Sequence, residues 1–254
     1  MKKLLAITLV FFTGVVFAES RLDSVMQKKV LAVCTTGDYK PYTFVNNDGS
    51  FEGIDIAMAK SLAKSLGVEV KWVKTTWKTL TPDFLKGECD IAMGGISVIL
   101  DRQKIAFFSN TIDIDGKIPL VRCENKDKYK TIEQINQPHV TLIEPKGGTN
   151  EAFVHKYLPK ANLTLSDDNM AIFQQLVDKK YEVMITDSSE ALYQQKRHPD
   201  LCAIDPSMPM QYGEKAYMLP KGDIIWKQYV DQWLHLAKAT GEYQAVIDQW
   251  LASH

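Results

Sequence analysis

Strand-like and helix-like patterns alternate along most of the chain. Apolar residues recur at every fourth position across residues 54–66, which predicts an amphipathic helix that ends at Gly67. Residues 30–33 and 90–93 are short apolar runs, and residues 68–72 alternate apolar with polar side chains, so all three are predicted strands. Because strand and helix follow one another, the pattern predicts an α/β fold with a parallel sheet and helices on both of its faces.

A similar unit occurs in the second half of the chain. The segment FLKGECDIAM at residues 84–93 and the segment LVDKKYEVMI at residues 176–185 share an apolar pair, polar residues, an acid and an apolar run. Duplication of one unit would explain this similarity, and so would ordinary α/β patterning in two unrelated units. Both explanations predict two similar lobes.

The lobe boundaries follow from changes in composition. A polar stretch begins after residue 122, and the apolar segment at residues 214–220 is predicted to return the chain to the first lobe. We therefore assign residues 19–122 and 215–254 to lobe 1 and residues 123–214 to lobe 2. Two crossings between lobes produce a hinged cleft, which is a favoured place for a small ligand.

The N-terminal segment has the layout of a secretory signal peptide. Lys2 and Lys3 precede an apolar run at residues 4–16, and polar residues follow Ala18. The apolar run is shorter than the roughly 20 residues that a membrane-spanning helix needs. We expect residues 1–18 to be removed, which predicts an exported, periplasmic protein without a stable membrane anchor. A retained N-terminal anchor is the alternative.

The overall composition argues against several classes of function. The 254 residues carry a net charge of -1 with no basic run, so binding to nucleic acid or to an anionic membrane is not expected. The histidines are scattered and no paired metal-binding motif is present, so no metal is expected. The sequence also has no phosphate-binding loop, dinucleotide-binding motif or Ser-His-Asp order. We predict no cofactor, and no pattern indicates an oligomeric state.

Export would make disulfide bonds possible for the four cysteines. Cys34 and Cys89 lie in apolar runs, which favours a role as small core residues. Cys123 and Cys202 lie in more polar segments near a predicted crossing between lobes, so we expect these two to pair. Sequence alone does not determine the connectivity.

Residues 147–150 have the sequence GGTN and connect a predicted strand to a predicted helix. Glycines at such a turn expose backbone N–H groups at the start of a helix, where an anion binds readily. The side chains of Thr149 and Asn150 would add hydrogen bonds to that anion. The alternative is a plain turn in which Thr149 or Asn150 caps the helix.

Candidate ligand-binding residues in lobe 1 follow predicted strands. Ser97 comes after the glycine pair at residues 94–95, and Arg102 follows about one helical turn later, where its guanidinium can bind a carboxylate with two hydrogen bonds. Tyr39 and Trp77 lie in loops on the predicted cleft wall, where aromatic rings can hold a planar ligand. The alternatives are a solvated surface arginine and two rings that only pack within the protein.

Two acids, Asp187 and Glu190, lie where a predicted strand meets a helix. Because they are three residues apart, they share one face of a helix that starts at Asp187. Asp187 either caps that helix or binds an ammonium group. A second acid beside an anionic ligand is costly, so Glu190 either points outward or is kept protonated as a proton donor.

Together these segments resemble the periplasmic amino-acid-binding proteins, family 3 of the bacterial solute-binding proteins. The resemblance extends from Arg21 to Trp250 and includes GDYKPY at residues 37–42, DIAM at residues 90–93, GTNE at residues 148–151 and Thr186-Asp187. It implies a two-lobed, periplasmic-binding-protein-like fold of type II, with a sheet flanked by helices in each lobe and the ligand in the cleft between the lobes.

Longer segments are similar to an enzyme branch of this family, the periplasmic cyclohexadienyl dehydratases. These segments are SRLD at residues 20–23, TTGDYKP at residues 35–41, GGTNE at residues 147–151, IFQQ at residues 172–175 and YVDQWLH at residues 229–235. Cys123 and Cys202 also match cysteines of that branch. The resemblance implies a carbon–oxygen lyase that converts prephenate to phenylpyruvate, arogenate to phenylalanine, or both.

The resemblance also implies a role for each candidate residue. Glu190 would be the general acid, with a pKa raised by burial, and Asn150 would orient the substrate. The implied substrate-binding residues are Tyr39 and Trp77 beside the ring, Arg102, Ser97 and Thr149 at the carboxylate tail, and Asp187 at an ammonium group. Ser188 and Ser189 replace a more apolar pair, which would lower the pKa of the glutamate. The alternative is an amino-acid-binding receptor of an ABC transporter, in which Glu190 faces outward.

Overall fold

The structure is a computed structural model that describes residues 19–252. The predicted signal peptide at residues 1–18 lies outside the described residues. Within residues 19–252, no helix combines the length and the apolar character needed to cross a membrane.

Helices and strands alternate as the sequence predicts. The α-helices are α1 (Arg21–Lys28), α2 (Ile54–Leu66), α3 (Leu80–Leu85), α4 (Leu100–Gln103), α5 (Ile132–Ile135), α6 (Thr149–Tyr157), α7 (Ala171–Val177), α8 (Ser188–Arg197), α9 (Ile224–Ala239) and α10 (Glu242–Ala252). The strands are β1 (Val30–Thr35), β2 (Asp38–Tyr39), β3 (Thr43–Val45), β4 (Phe51–Glu52), β5 (Glu69–Lys74), β6 (Ile91–Ala92), β7 (Ala106–Phe108), β8 (Asp113–Arg122), β9 (Thr141–Pro145), β10 (Asn162–Ser166), β11 (Val183–Asp187), β12 (Leu201–Ala203), β13 (Gln211–Lys215) and β14 (Met218–Pro220).

The first sheet, in lobe 1, has the strand order β5-β1-β6-β14-β7. β1 runs parallel to β5 and β6, whereas β14 runs antiparallel to β6 and β7. Leu31 and Val33 pack into one apolar cluster with α2 and α9, and Cys34 packs into a second cluster with α3. Since successive side chains of a strand point to opposite faces, the two clusters cover both faces of this sheet.

The second sheet, in lobe 2, has the order β10-β9-β11-β8-β12, and β13 also pairs with β8. β9 runs parallel to β10 and β11, whereas β8 runs antiparallel to its three partners. Val183 and Ile185 of β11 pack into one cluster and Met184 into the other. The prediction of two similar α/β lobes, each with a sheet between helices, is therefore confirmed.

The predicted lobe boundary at residue 122 is wrong. All of β8 pairs within the second sheet, so residues 113–122 belong to lobe 2. The returning segment is also two strands rather than one, because β13 still pairs with β8 and only β14 joins the first sheet. Both crossings are short links between strands, so no loop-like composition marks them.

All four cysteines form disulfide bonds. The predicted pair, Cys123 with Cys202, is confirmed. The interpretation of Cys34 and Cys89 as separate core residues is wrong, because they form the second disulfide bond. Cys34 lies on β1 and Cys89 just before β6, and these neighbouring strands bring the two side chains together. The strand order that creates this contact is not visible in the apolar pattern.

Candidate active site

A cavity lies between the two lobes, with about 300 Å³ of empty space that is partly open to solvent. The wall residues follow the carboxyl ends of strands in both sheets, where α/β proteins commonly bind ligands. The cavity is lined by Tyr39, Trp77, Gly95, Ser97, Pro145, Gly148, Thr149, Asn150, Asn169, Asp187 and Lys215.

A buried carboxylate shapes the lobe 1 wall. Asp55, in the first turn of α2, accepts hydrogen bonds from the backbone N–H groups of Gly94 at 2.9 Å and Gly95 at 2.7 Å. Gly95 has a φ of +68°, and a Cβ there would lie 2.6 Å from the Tyr42 ring and 2.7 Å from the Tyr39 ring. Only glycine fits this turn, which leads directly to Ser97 on the cavity wall.

The turn at residues 147–150 forms the facing wall in lobe 2. Gly147 has a φ of +83°, and a Cβ there would lie 2.6 Å from the Cα of Lys78 in lobe 1. The two lobes therefore approach closely at this point. Gly148 is the N-cap of α6 and no side chain caps that helix, so the capping alternative for Thr149 and Asn150 is wrong.

Asp187 occupies the N-cap position of α8, but its side chain does not cap the helix. Its Oδ1 lies 2.8 Å from Nζ of Lys117, and its Oδ2 lies 2.5 Å from Nζ of Lys215. Oδ2 also accepts a hydrogen bond from the Tyr39 hydroxyl at 2.7 Å. Burial alone would raise the pKa of Asp187, but the ammonium groups of Lys117 and Lys215 hold it well below its usual range.

The same two lysines orient the predicted ligand-binding side chains. Lys117 Nζ donates to Oγ1 of Thr149 at 2.9 Å and to Oδ1 of Asn150 at 2.5 Å. Lys215 Nζ donates to Oγ of Ser97 at 3.0 Å. Because these oxygens accept from lysine, the hydroxyl and amide hydrogens of Ser97, Thr149 and Asn150 are left for other partners.

Sequence reasoning missed both lysines. They are 4% and 1% exposed, for Lys117 and Lys215 respectively, which is rare for lysine unless the ammonium group is paired. The available signal was a lysine at the start of an apolar run, in KIPLV at residues 117–121 and in KAYML at residues 215–219. Asn169, in the turn before α7, also lines the cavity and was not predicted.

Glu190 is fully buried, with 0% of its surface exposed, so the outward-facing alternative is wrong. The Thr186 hydroxyl donates to Oε2 of Glu190 at 2.5 Å, and Oε1 has no hydrogen-bond partner within the described residues. Burial raises the pKa of Glu190 to about 8, and the negative charges of Asp187 and Asp38 act in the same direction. The prediction of a raised pKa is confirmed.

Glu190 lies just behind the cavity wall. Asn150, which is on the wall, has its Nδ2 at 3.4 Å from Oγ1 of Thr186, and Thr186 in turn contacts Glu190. A chain of polar contacts therefore runs from the cavity to the buried acid. The predicted pair, Asn150 and Glu190, is brought together through Thr186.

The two serines before Glu190 turn away from it. The Ser188 hydroxyl donates to Oδ1 of Asp115 at 2.6 Å, and the Ser189 hydroxyl donates to Oδ2 of the same residue at 2.5 Å. The expectation that this polar pair lowers the pKa of Glu190 is wrong, because both hydroxyl groups are bound to another acid.

Tyr39 and Trp77 both lie on the cavity wall, with ring centroids 5.3 Å apart and ring planes at 81°. Arg102 does not line this cavity. Its guanidinium donates to the backbone oxygen of Ser97 at 2.9 Å, and it borders the adjoining open cleft together with Gly148 and Thr149. Burial lowers the pKa of Arg102 to about 10, which still leaves it cationic at neutral pH.

Among residues 19–252, no group of three or more histidine, cysteine or acidic side chains is arranged to hold a metal ion. The polar groups of the site are two lysines, one charged acid, one neutral acid, hydroxyl groups and amides. Such a set can bind an anion, and it can deliver a proton.

The fold and the site agree with the sequence relationships. The chain matches the bacterial extracellular solute-binding proteins, family 3, over residues 31–253. It belongs to this family. Within the family, it is 46% identical over 233 residues to the cyclohexadienyl dehydratase of Pseudomonas aeruginosa, with 92% of this chain and 87% of the relative covered.

Two solved structures of reconstructed ancestors are also similar. One is an ancestral amino acid-binding protein, a precursor of cyclohexadienyl dehydratase, with a TM-score of 0.84 and 34% identity over 91% of this chain and 99% of the other. The second is an ancestral cyclohexadienyl dehydratase, with a TM-score of 0.59 and 48% identity over 93% of this chain and 98% of the other. The predicted fold class, a two-lobed solute-binding-protein fold, is confirmed.

Proposed function

We propose that this protein is a decarboxylating dehydratase that acts on prephenate, on arogenate, or on both. The observation that carries the proposal is Glu190, a fully buried carboxyl group with a pKa of about 8 and one oxygen without a partner in the described residues. At neutral pH most of this group is protonated and has a hydrogen to donate. The identity of 46% to a cyclohexadienyl dehydratase supports the same reaction class.

The reaction needs a proton donor above all. Both substrates carry a carboxylate on the ring and a hydroxyl group across the ring from it. The bond between the ring and the carboxylate carbon breaks, and its electron pair completes the aromatic ring. The C–O bond breaks as the oxygen keeps its electron pair and takes the proton of Glu190, so carbon dioxide and water leave. Hydroxide is a poor leaving group, and general-acid catalysis contributes on the order of 10²–10⁴-fold.

Donor groups on the cavity wall would bind the substrate carboxylates. The hydroxyl groups of Ser97 and Thr149 accept from Lys215 and Lys117, so their own hydrogens can face an anion. Arg102 borders the open cleft, where its positive charge would attract the substrate and bind a carboxylate at the entrance.

The remaining wall residues would orient the ring. Tyr39 and Trp77 present an edge-to-face aromatic pair to the cavity and would flank the substrate ring. Asn150 connects the wall to Thr186 and Glu190 and would hold the reacting end of the substrate near the acid. Closure of the lobes excludes water from the proton transfer, and reopening lets Glu190 recover its proton from solvent.

Asp187 argues against the receptor alternative. Both of its oxygens are already bound to lysine ammonium groups of the protein itself. A ligand ammonium group placed there would face two like charges, so the predicted ammonium-binding role of Asp187 does not fit, and the same argument favours prephenate over arogenate as the substrate. An amino-acid receptor instead needs an acid that is open to the ammonium group of its ligand.

We also propose that the protein works in the periplasm. The family is extracellular, the segment before residue 19 has the composition of a signal peptide, and two disulfide bonds are typical of an oxidising compartment.

The decisive experiment is to incubate the purified protein with prephenate and to follow phenylpyruvate by absorbance, and with arogenate to follow phenylalanine. We expect turnover of at least one substrate. Tight calorimetric binding of a standard amino acid, together with no turnover of either substrate, would reject the enzyme and support the receptor.

A further inference from the structure

Asn169 lies on the cavity wall and is 3% exposed. It belongs to lobe 2, in the turn between β10 and α7. Its side-chain Nδ2 donates a hydrogen bond of 2.8 Å to the backbone oxygen of Asp38, which belongs to lobe 1. This hydrogen bond joins the two lobes at the edge of the cavity.

The contact with Asp38 determines how the amide is oriented. A carbonyl oxygen accepts hydrogen bonds and does not donate them, so the NH₂ group and not the oxygen of Asn169 must face it. The other atom of the amide, Oδ1, is buried and has no partner within the described residues. A buried acceptor without a partner destabilises the folded state, and such groups in native proteins call for an explanation.

The other side-chain acceptors on the wall are already bound to lysine. Asp187 accepts from Lys117 and Lys215, Asn150 Oδ1 accepts from Lys117, and the Ser97 hydroxyl accepts from Lys215. Among the wall side chains, Asn169 Oδ1 is the buried acceptor without a partner. The cavity therefore presents mainly donors, which suit carboxylates, together with one neutral acceptor, which suits a hydroxyl group.

We propose that Asn169 Oδ1 accepts the hydroxyl hydrogen of the substrate and so positions the leaving group. The inference rests on the proposed dehydratase function. The lone pairs of that hydroxyl oxygen stay available to take the proton from Glu190. As the oxygen gains positive character during this transfer, its hydrogen bond to Asn169 becomes stronger.

Asp38 links Asn169 to the electrostatic surroundings of the acid. The backbone of Asp38 bonds to Asn169, and its carboxylate is one of the charges that raise the pKa of Glu190. Because the Asn169 amide is oriented by a residue of the opposite lobe, the acceptor is set in position only when the lobes are closed.

The test compares one ligand that has the hydroxyl group with one that lacks it. In a Glu190→Gln background, which consumes substrate only slowly, calorimetry gives the Kd of prephenate and of phenylpyruvate, which has neither the hydroxyl group nor the ring carboxylate. We expect Asn169→Ala to raise the Kd of prephenate about tenfold more than the Kd of phenylpyruvate, the equivalent of one hydrogen bond. Loss of the bond to Asp38 affects lobe closure and therefore acts on both ligands equally.

The outcomes separate the proposals. An unchanged ratio of the two Kd values in Asn169→Ala would overturn the role of Asn169, and turnover of prephenate by the unaltered protein would leave the dehydratase proposal intact. No turnover by the unaltered protein would instead reject the dehydratase proposal itself. Asn169→Leu, which keeps the volume of the side chain, carries the same expectation if Asn169→Ala does not fold. Asn162→Ala, which replaces an exposed asparagine of β10, is the matched control. It should leave the ratio of the two Kd values unchanged.

Discussion

The two acids at the start of α8, Asp187 and Glu190, are three residues apart and fully or nearly fully buried, yet their surroundings are opposite. Asp187 contacts two lysines and a tyrosine hydroxyl and is held charged. Glu190 contacts one threonine hydroxyl, has a free oxygen in the described structure, and is largely neutral at pH 7. Burial alone therefore does not decide the charge of an acid; the number of cationic partners does.

This difference assigns the two acids separate tasks. A charged, fully paired carboxylate holds Lys117 and Lys215 in place, and these in turn orient the wall side chains. A neutral carboxyl group can transfer a proton and then recover it. Sites that separate the pKa values of two neighbouring acids commonly divide charge stabilisation from acid catalysis in this way.

The largest effect is expected from removing the proton of Glu190. Glu190→Gln keeps the size of the side chain and the acceptor for the Thr186 hydroxyl, but an amide is too weak an acid to protonate the leaving group. We expect kcat for prephenate to fall on the order of 10²–10⁴-fold, while the Kd of phenylpyruvate changes little. Steady-state kinetics and calorimetry measure the two quantities. The control is Glu133→Gln, which makes the same change at an exposed acid of α5. Equal kcat values for Glu190→Gln and the unaltered protein would remove Glu190 from the mechanism.

The partners of Asp187 should matter most for stability. Lys215→Met leaves the buried carboxylate with Lys117 and the Tyr39 hydroxyl, so part of its charge loses compensation. We expect the free energy of unfolding to fall by about 3 kcal/mol, because breaking a buried ion pair leaves an uncompensated charge. Urea denaturation measures this change.

The matched control for Lys215→Met is Lys146→Met, which breaks the exposed ion pair between Lys146 and Asp167. Exposed pairs contribute about 0–1 kcal/mol, so this variant should unfold almost like the unaltered protein. A loss of the same size in both variants would mean that the Asp187 cluster has no special role in stability.

The neutral state of Glu190 predicts the pH dependence of activity. The acid must be protonated to act, and its pKa is about 8. We therefore expect kcat/KM to be level in pH below about 8 and to fall about tenfold per pH unit above it. Stability should change with pH in the same direction. The raised pKa of Glu190 contributes most to the free energy of unfolding below the pKa of the unfolded chain, about 4.3. This contribution is lost as pH rises towards 8. A pH profile whose decline begins near pH 5 would mean that Glu190 is charged in the free enzyme.

Much of this fold could be predicted from the chain because the signals are local. The apolar spacing of α2, the glycine that ends it and the alternation of strands and helices depend on neighbouring residues only. The crossings between the lobes and the bond between Cys34 and Cys89 depend on strand order, which brings together residues far apart in sequence. Local patterns carry little information of that kind.

The candidate site shows the same division. Thr149 and Asn150 begin α6, Asp187 ends β11 and Ser97 follows β6, and the structure brings these residues to one cavity. The burial of Lys117 and Lys215 was harder to predict, because a lysine at the start of an apolar run does not show which acid it meets. The acid it meets comes from another strand of the sheet.

The smallest effect on activity is expected from the serines beside Glu190. Ser189→Ala removes a hydrogen bond of 2.5 Å to Asp115, while the Ser188 hydroxyl and the backbone N–H of Gly116 still bind that acid. We expect a loss of about 1.5 kcal/mol in the free energy of unfolding, as is usual for a bond to a charged group. The decline of kcat/KM should stay near pH 8, because this hydroxyl group does not contact Glu190. A shift of that decline by a full pH unit would show that the two acids share their polar neighbours, and the contrast between Asp187 and Glu190 would then need another cause.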